Sequence, residues 1–171
     1  MKTNIRGNEI QHLVVELQKN EVIFGVMQSV LKMDDEIFFE VPYNLLFKKM
    51  IHDNNLLLKF SSRVVKSCKM IFSTEGNRKI CDMSHNKSGI FFPRAALLCT
   101  NKHVEISNIS DYYYAEGSGC LFLQSSSRII KKNLRADDTY DLNCPDLLAY
   151  TCSSDLKSNL SGPGTIWLKI E

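Results

Sequence analysis

The chain has 171 residues, 44% apolar and 23% charged, ordinary values for one globular domain that can bury a core without disulfides or metal. Its 21 basic and 19 acidic residues leave a formal net charge of +2, too small for a general nucleic-acid or membrane-surface binder. No stretch approaches the roughly 20 apolar residues that span a bilayer, and the polar segment 1–9 lacks the apolar core of a signal peptide.

Residues 10–17 alternate imperfectly through Ile10, Leu13, Val15 and Leu17, as a half-buried strand does. Lys19-Asn20-Glu21 is a polar turn, and Val22-Ile23-Phe24 opens a second strand. The stretch from Val26 to Phe39 is apolar, broken only at Asp34-Asp35. Residues 42–52 change period. Pro42 suits a first helical turn, and Tyr43, Leu46, Phe47, Met50 and Ile51 recur at helical spacing. One short amphipathic helix is expected there, covering an end of the fold; as a membrane anchor it is short and carries only Lys48 and Lys49 on its other face.

Strands resume at 56–60, 64–65 and 69–72, and Glu75-Gly76-Asn77 is a turn. Further strands are expected at 90–92, 97–100, 104–106, 112–114, 120–124, 128–130, 147–151 and 165–170. Short strands between polar turns indicate an all-β sandwich or barrel. No linker divides the chain, so residues 1–171 are read as one all-β domain.

The chain also resembles itself. With Val26, Pro93 and Pro145 aligned, Val30, Leu97 and Ala149 fall four positions on, and Ile37, Val104 and Leu156 eleven on. Each copy reads as strand, polar turn, strand, with turns at Asp34-Asp35, Asn101-Lys102 and Ser153-Ser154. A second element, Gly-x-Gly before an apolar strand, occurs at Gly117-Ser118-Gly119 and Gly162-Pro163-Gly164. Phe122 and Trp167 stand three residues after the second glycine. Glycine there serves close backbone approach and turning. A phosphate loop would need a helix next, and β-type residues follow instead.

These residues carry a resemblance to a known family. The segments Tyr114-Ala115-Glu116-Gly117-Ser118-Gly119, Asp141-Leu142-Asn143-Cys144-Pro145 and Ser161-Gly162-Pro163-Gly164-Thr165-Ile166-Trp167 are similar to the altered-inheritance-of-mitochondria (mitochondrial biogenesis) family of the tryptophan-attenuation-protein-like superfamily. The resemblance runs from about residue 5 to 170, with the 43–60 segment departing from the family's glycine-rich pattern. It implies a double-stranded β-helix or related β-sandwich built from repeated hairpin units and assembled as a homo-oligomer. It supplies no enzymatic activity, no catalytic residue and no cofactor.

The residues themselves offer little chemistry. His12, His52, His85 and His103 form no His-x-His or His-x-Asp pair, so a cupin-like metal enzyme has no local ligand set. The serine runs lack a nucleophile elbow and read as turns, with Ser125-Ser126-Ser127 as a hairpin loop. The six cysteines form no C-x-x-C pair and read as small buried hydrophobes. One cationic cluster stands out: Arg128, Lys131, Lys132 and Arg135, with Tyr112, Tyr113 and Tyr114 as aromatic neighbours. Such a set can hold single-stranded RNA by stacking and phosphate contact. The leading expectation is a cytoplasmic, non-enzymatic β protein acting through a homo-oligomer, expected to be a trimer, or through an unknown protein partner. The alternatives are a small-molecule or metal-binding enzyme of cupin-like type, using the barrel mouth, and an RNA or single-strand binder through the 128–135 patch.

Overall fold

The computed structural model describes residues 1–42, 57–74, 79–84, 89–151 and 159–170. The helix expected at 42–52 lies outside them except for Pro42, as do the turns expected at 75–77 and 153–154, and His52, His85 and Cys152. The described residues are β throughout, apart from the single 3-10 turns Met27–Ser29 and Arg94–Ala96. The strands are β1 (Lys2–Arg6), β2 (His12–Leu17), β3 (Val22–Val26), β4 (Val30–Met33), β5 (Ile37–Glu40), β6 (Leu57–Ser62), β7 (Cys68–Ser73), β8 (Lys79–Asp82) and β9 (Ile90–Pro93). They continue as β10 (Leu97–Asn101), β11 (Val104–Ile109), β12 (Tyr112–Gly117), β13 (Leu121–Ser125), β14 (Arg128–Leu134), β15 (Thr139–Asp141), β16 (Leu147–Thr151), β17 (Asn159–Ser161) and β18 (Gly164–Ile170). The strand expected at 64–65 is a bend, with Val65 82% exposed.

Four antiparallel sheets result. Sheet I runs β1-β2-β7-β4, sheet II β5-β6-β3-β10-β13-β8, sheet III β11-β12-β9-β16-β18-β14, and sheet IV β15-β17. They stack face to face through three apolar layers. Leu13, Met70 and Phe72 of sheet I meet Ile23, Phe60, Leu98 and Phe122 of sheet II. Leu97, Leu121 and Leu123 of sheet II meet Phe92, Ala149 and Trp167 of sheet III. Tyr150 and Ile166 of sheet III meet Leu160 of sheet IV.

The strand patterns follow from this layering. In β7, Cys68, Met70 and Phe72 are buried while Lys69 is exposed, the period-two alternation of a strand with one solvated face. In β13 all five residues are buried, because sheet II has a core on each side. Each large aliphatic or aromatic side chain so buried contributes about 1.5–3 kcal/mol of transfer free energy.

The chain does not build these sheets by simple hairpins alone. At each 3-10 turn it steps back one sheet, from β3 in sheet II to β4 in sheet I, and from β9 in sheet III to β10 in sheet II. At the polar turns Asp34-Asp35 and Asn101-Lys102 it steps forward again, to β5 and to β11. The serine run at 125–127 likewise links β13 in sheet II to β14 in sheet III. These turns are therefore crossovers, whereas β1–β2 and β11–β12 are true hairpins. Both kinds leave the same trace in the sequence, a polar turn between apolar runs.

Three strand pairs share one irregularity. Register shifts between Val30↔Phe72 and Lys32↔Ile71, between Leu97↔Leu123 and Cys99↔Phe122, and between Leu147↔Leu168 and Ala149↔Trp167. Leu31, Leu98 and Leu148 are the extra residues at these bulges. Each bulge opens with the same backbone bond: Val30 N–H donates to the Met27 carbonyl, Leu97 N–H to Arg94, and Leu147 N–H to Cys144.

Candidate functional site

The edge strands β8 of sheet II and β14 of sheet III share a side of the stack. They are not hydrogen-bonded to each other, and a cleft of about 480 Å³ lies along them. Among the described residues, its charged lining is Lys79, Arg128 and Lys131 against the carboxylate of Asp82. Trp167 reaches it from the neighbouring strand β18.

Local structure holds this lining in place. Gly7, at φ +88°, turns the chain so tightly that a Cβ there would lie 2.1 Å from the Ile10 carbonyl oxygen. The turn is pinned to β8: Lys79 Nζ donates to the carbonyls of Asn8 at 2.5 Å and Glu9 at 3.0 Å. The Ile80 N–H, on the free edge of β8, donates to Gln11 Oε1 at 2.7 Å. A strand edge that would otherwise present open backbone groups is thus satisfied by a side chain.

On the opposite wall, Lys131 pairs across the sheet with Trp167, and its ammonium sits 5.6 Å from the ring centroid. This is a cation–π arrangement. It tethers the lysine at the cleft while leaving its three N–H donors available. Cys81 belongs to the β8 wall, and burial pushes its thiol up to about 11, with Asp82 adding to the rise and Lys131 opposing it. A thiol so raised is a poor nucleophile at neutral pH.

The four basic residues singled out in the sequence are divided by the strand. Lys131 lines the cleft from its own strand face, and Arg128, which strand period places on the opposite face, lines it from the exposed start of β14. Lys132 pairs with Ile166, a residue of the sheet III–IV core, whereas Trp167 belongs to the sheet II–III core. Adjacent strand residues point to opposite faces, so Lys131 and Lys132 do not share a surface. Arg135 lies beyond β14, its N–H donating to Asp138 Oδ2 at 2.8 Å and its carbonyl accepting the Asp138 N–H at 3.0 Å. The tyrosines sit elsewhere in sheet III, since β9, β16 and β18 intervene between β12 and β14. Tyr113 is buried against Phe92, and Tyr112 packs on Tyr150. The contiguous basic–aromatic platform is therefore not formed. Lys79, Gln11 and Asn8 were not legible as site residues, because only the pairing of distant strands brings them beside β14.

Other described histidines and cysteines make local contacts. His12 Nδ1 is 3.1 Å from Ser73 Oγ across the β2–β7 ladder, and the His103 backbone N–H donates to Asn101 Oδ1 in a turn. Cys68, Cys81, Cys99, Cys120 and Cys144 are free thiols. Burial holds Cys99 well above the usual thiol range. Among the described residues, no three His, Cys, Asp or Glu side chains gather as a metal site, and no helix is long and apolar enough to cross a membrane.

Comparison with known proteins agrees with this fold. A family model described as mitochondrial biogenesis AIM24 matches residues 3–166. An X-ray structure of a Streptococcus pyogenes protein from a structural genomics programme is similar, with a TM-score of 0.78 at 12% identity. That likeness covers 99% of this chain and 93% of the streptococcal one, and at such identity it speaks for the fold alone. No curated protein sequence matches.

Proposed function

The chain belongs to the mitochondrial biogenesis AIM24 family, and on that premise we propose that it works without catalysis, as a repeat-built β module that assembles with further copies of itself. The observation that carries this reading is a pair of complementary incomplete sheets. The shared bulges and their backbone bonds support three structural units. They align Leu147 with Val30 and Leu97, and so Asn143, not Pro145, with Val26 and Pro93. In sheets II and III, three strands of one unit (β5-β6-β3 or β11-β12-β9) join three of the next (β10-β13-β8 or β16-β18-β14). Sheet I holds β4-β7 with no described strand beside β4, where β3 lies beside β10 in sheet II. Sheet IV holds β17-β15 with no strand in the position that β16 takes beside β9 among the described residues.

Each end therefore has what the other needs. Strand β15 of one copy laid beside β4 of another extends sheet IV into sheet I and covers both edges. Open edges of this kind favour pairing. The internal junctions suggest the register. Thr100 faces Phe24, and Tyr150 faces Phe91. The corresponding residues at the two ends are Met33 and Asp141, so Met33 of one copy faces Asp141 of the next. Such a head-to-tail contact closes into a ring or runs on as a filament. A ring of three copies in the cytoplasm, with a variant of the double-stranded β-helix in each, is the form we propose.

The test is a mixed cross-link. Chains carrying Met33→Cys and Asp141→Cys are combined and oxidised, and the linked peptides are identified by mass spectrometry, with the parent chain controlling for native thiols. A disulfide between the two introduced thiols, joining position 33 of one copy to position 141 of another, is expected, with sedimentation at a multiple of the chain mass. A monomer at every concentration would sink the reading.

A further inference from the structure

We infer that the cleft between β8 and β14 is a binding site for a small soluble molecule bearing a phosphate group. This stands apart from the assembly reading, because neither β4 nor β15 contributes to it. Among the described residues, the lining sets Lys79, Arg128 and Lys131 against the one carboxylate of Asp82. Arg128 supplies a planar fork of donors and Lys131 a compact point charge, the two forms in which proteins hold phosphate oxygens. The rest of the wall is fixed before any ligand arrives: Lys79 and Gln11 are committed to backbone groups of the 7–11 turn and β8. A preorganised wall lowers the ordering cost of binding.

The geometry points to a compact ligand and away from a polynucleotide. Lys132 and Arg135, which would prolong a phosphate-tracking groove along β14, lie on the other face and in a hydrogen-bonded turn respectively. Trp167 does not offer an open stacking face, since the Lys131 ammonium sits over it. A volume of about 480 Å³ falls within the range of small-molecule sites.

Trp167 is the sole tryptophan of the chain and so reports on the cleft directly. The full chain is titrated with glycerol phosphate at constant ionic strength while its fluorescence is followed. A saturable change is expected. Lys131→Met, which keeps an unbranched stem over Trp167, should raise the half-saturating concentration roughly tenfold, the loss of one charge-assisted hydrogen bond. Lys132→Met removes the same charge one residue away and should shift it by less than about twofold. Arg128→Gln, at an exposed strand start, should weaken binding as Lys131→Met does and serves if that variant does not fold. Equal weakening by Lys132→Met would mean diffuse charge attraction and overturn the site, as would a non-saturating response. Binding to phosphatidic acid vesicles without binding to glycerol phosphate would overturn the soluble ligand.

Discussion

Leu31 and Leu98 stand at the same bulge in two different strand pairs, yet Leu31 is 62% exposed and Leu98 is fully buried. The difference is set by what lies beyond the sheet. Leu98 points into the core that sheet II shares with sheet I. Leu31 stands on sheet I, and no described sheet lies beyond it. Leu98→Ala should therefore cost about 2–5 kcal/mol, whereas Leu31→Ala should change monomer stability by less than about 0.5 kcal/mol. Urea unfolding of both variants checks this. Comparable losses at the two positions would mean that Leu31 is covered.

Gly25 sits opposite both Cys99 and Leu58 in sheet II. A Cβ there would come within 2.5 and 2.6 Å of two Phe72 ring carbons. Phe72 is fully buried and packs edge-on against Phe60 at 6.1 Å, so it has no room to yield. Gly25→Ala should destabilise by about 1–3 kcal/mol through overpacking, and the thermal midpoint should fall accordingly. A second change that shortens Phe72, such as Phe72→Leu, should recover part of the loss, because neighbouring sites couple.

The Gly-x-Gly element before β13 makes a separate demand. Gly117 adopts φ +131°, and a Cβ would lie 2.2 Å from the His103 carbonyl oxygen. Gly117→Ala meets both backbone strain and backbone collision, so a loss of at least about 1–3 kcal/mol is expected. Chemical denaturation measures it. The second copy differs in kind: no positive φ occurs at Gly162. The constraint there is the Arg135 carbonyl oxygen, which a Cβ would approach to 1.8 Å.

Alkaline stability should report on Cys81. Its thiol is raised by burial from 9.0 to about 11, so the folded state holds its proton more tightly than the unfolded chain does. The resulting stabilisation is complete below about pH 9 and is lost as pH rises from there through about 11, amounting to about 3 kcal/mol. Cys81→Ser removes this titration. The stability gap between parent and variant should narrow across that window, as measured by urea unfolding at pH 8 and pH 10.5. A constant gap would show that Cys81 does not resist ionisation.

Much of the β character was legible because alternation marks half-buried strands such as β2 and short apolar runs mark doubly buried ones such as β13. The strands without such a signal are polar edge or lid elements: Lys2–Arg6, Lys79–Asp82, Thr139–Asp141 and Asn159–Ser161. They bury little and carry no periodic apolar pattern. Sheet membership was not legible either. A polar turn such as Asn101-Lys102 reads alike whether it closes a hairpin or carries the chain to another sheet, since the choice depends on partners far along the chain. The candidate site shows both sides of this. Lys131 and Lys132 could have been assigned to opposite faces from strand period alone, but Lys79 joins Lys131 only through the stacking of sheets II and III.

The stepping of the chain between sheets also governs how the protein can be made. Sheet II needs β3, which ends at Val26, and β13, which ends at Ser125. During synthesis the outer edge of β3 must wait, unpaired, until β10 has left the ribosome. Long-range pairing of this kind is slow and leaves strand edges open to other chains. A nascent chain stalled near residue 90 would hold sheet I together with only part of sheet II. Release of such a fragment, rather than damage to the finished protein, is where aggregation would begin.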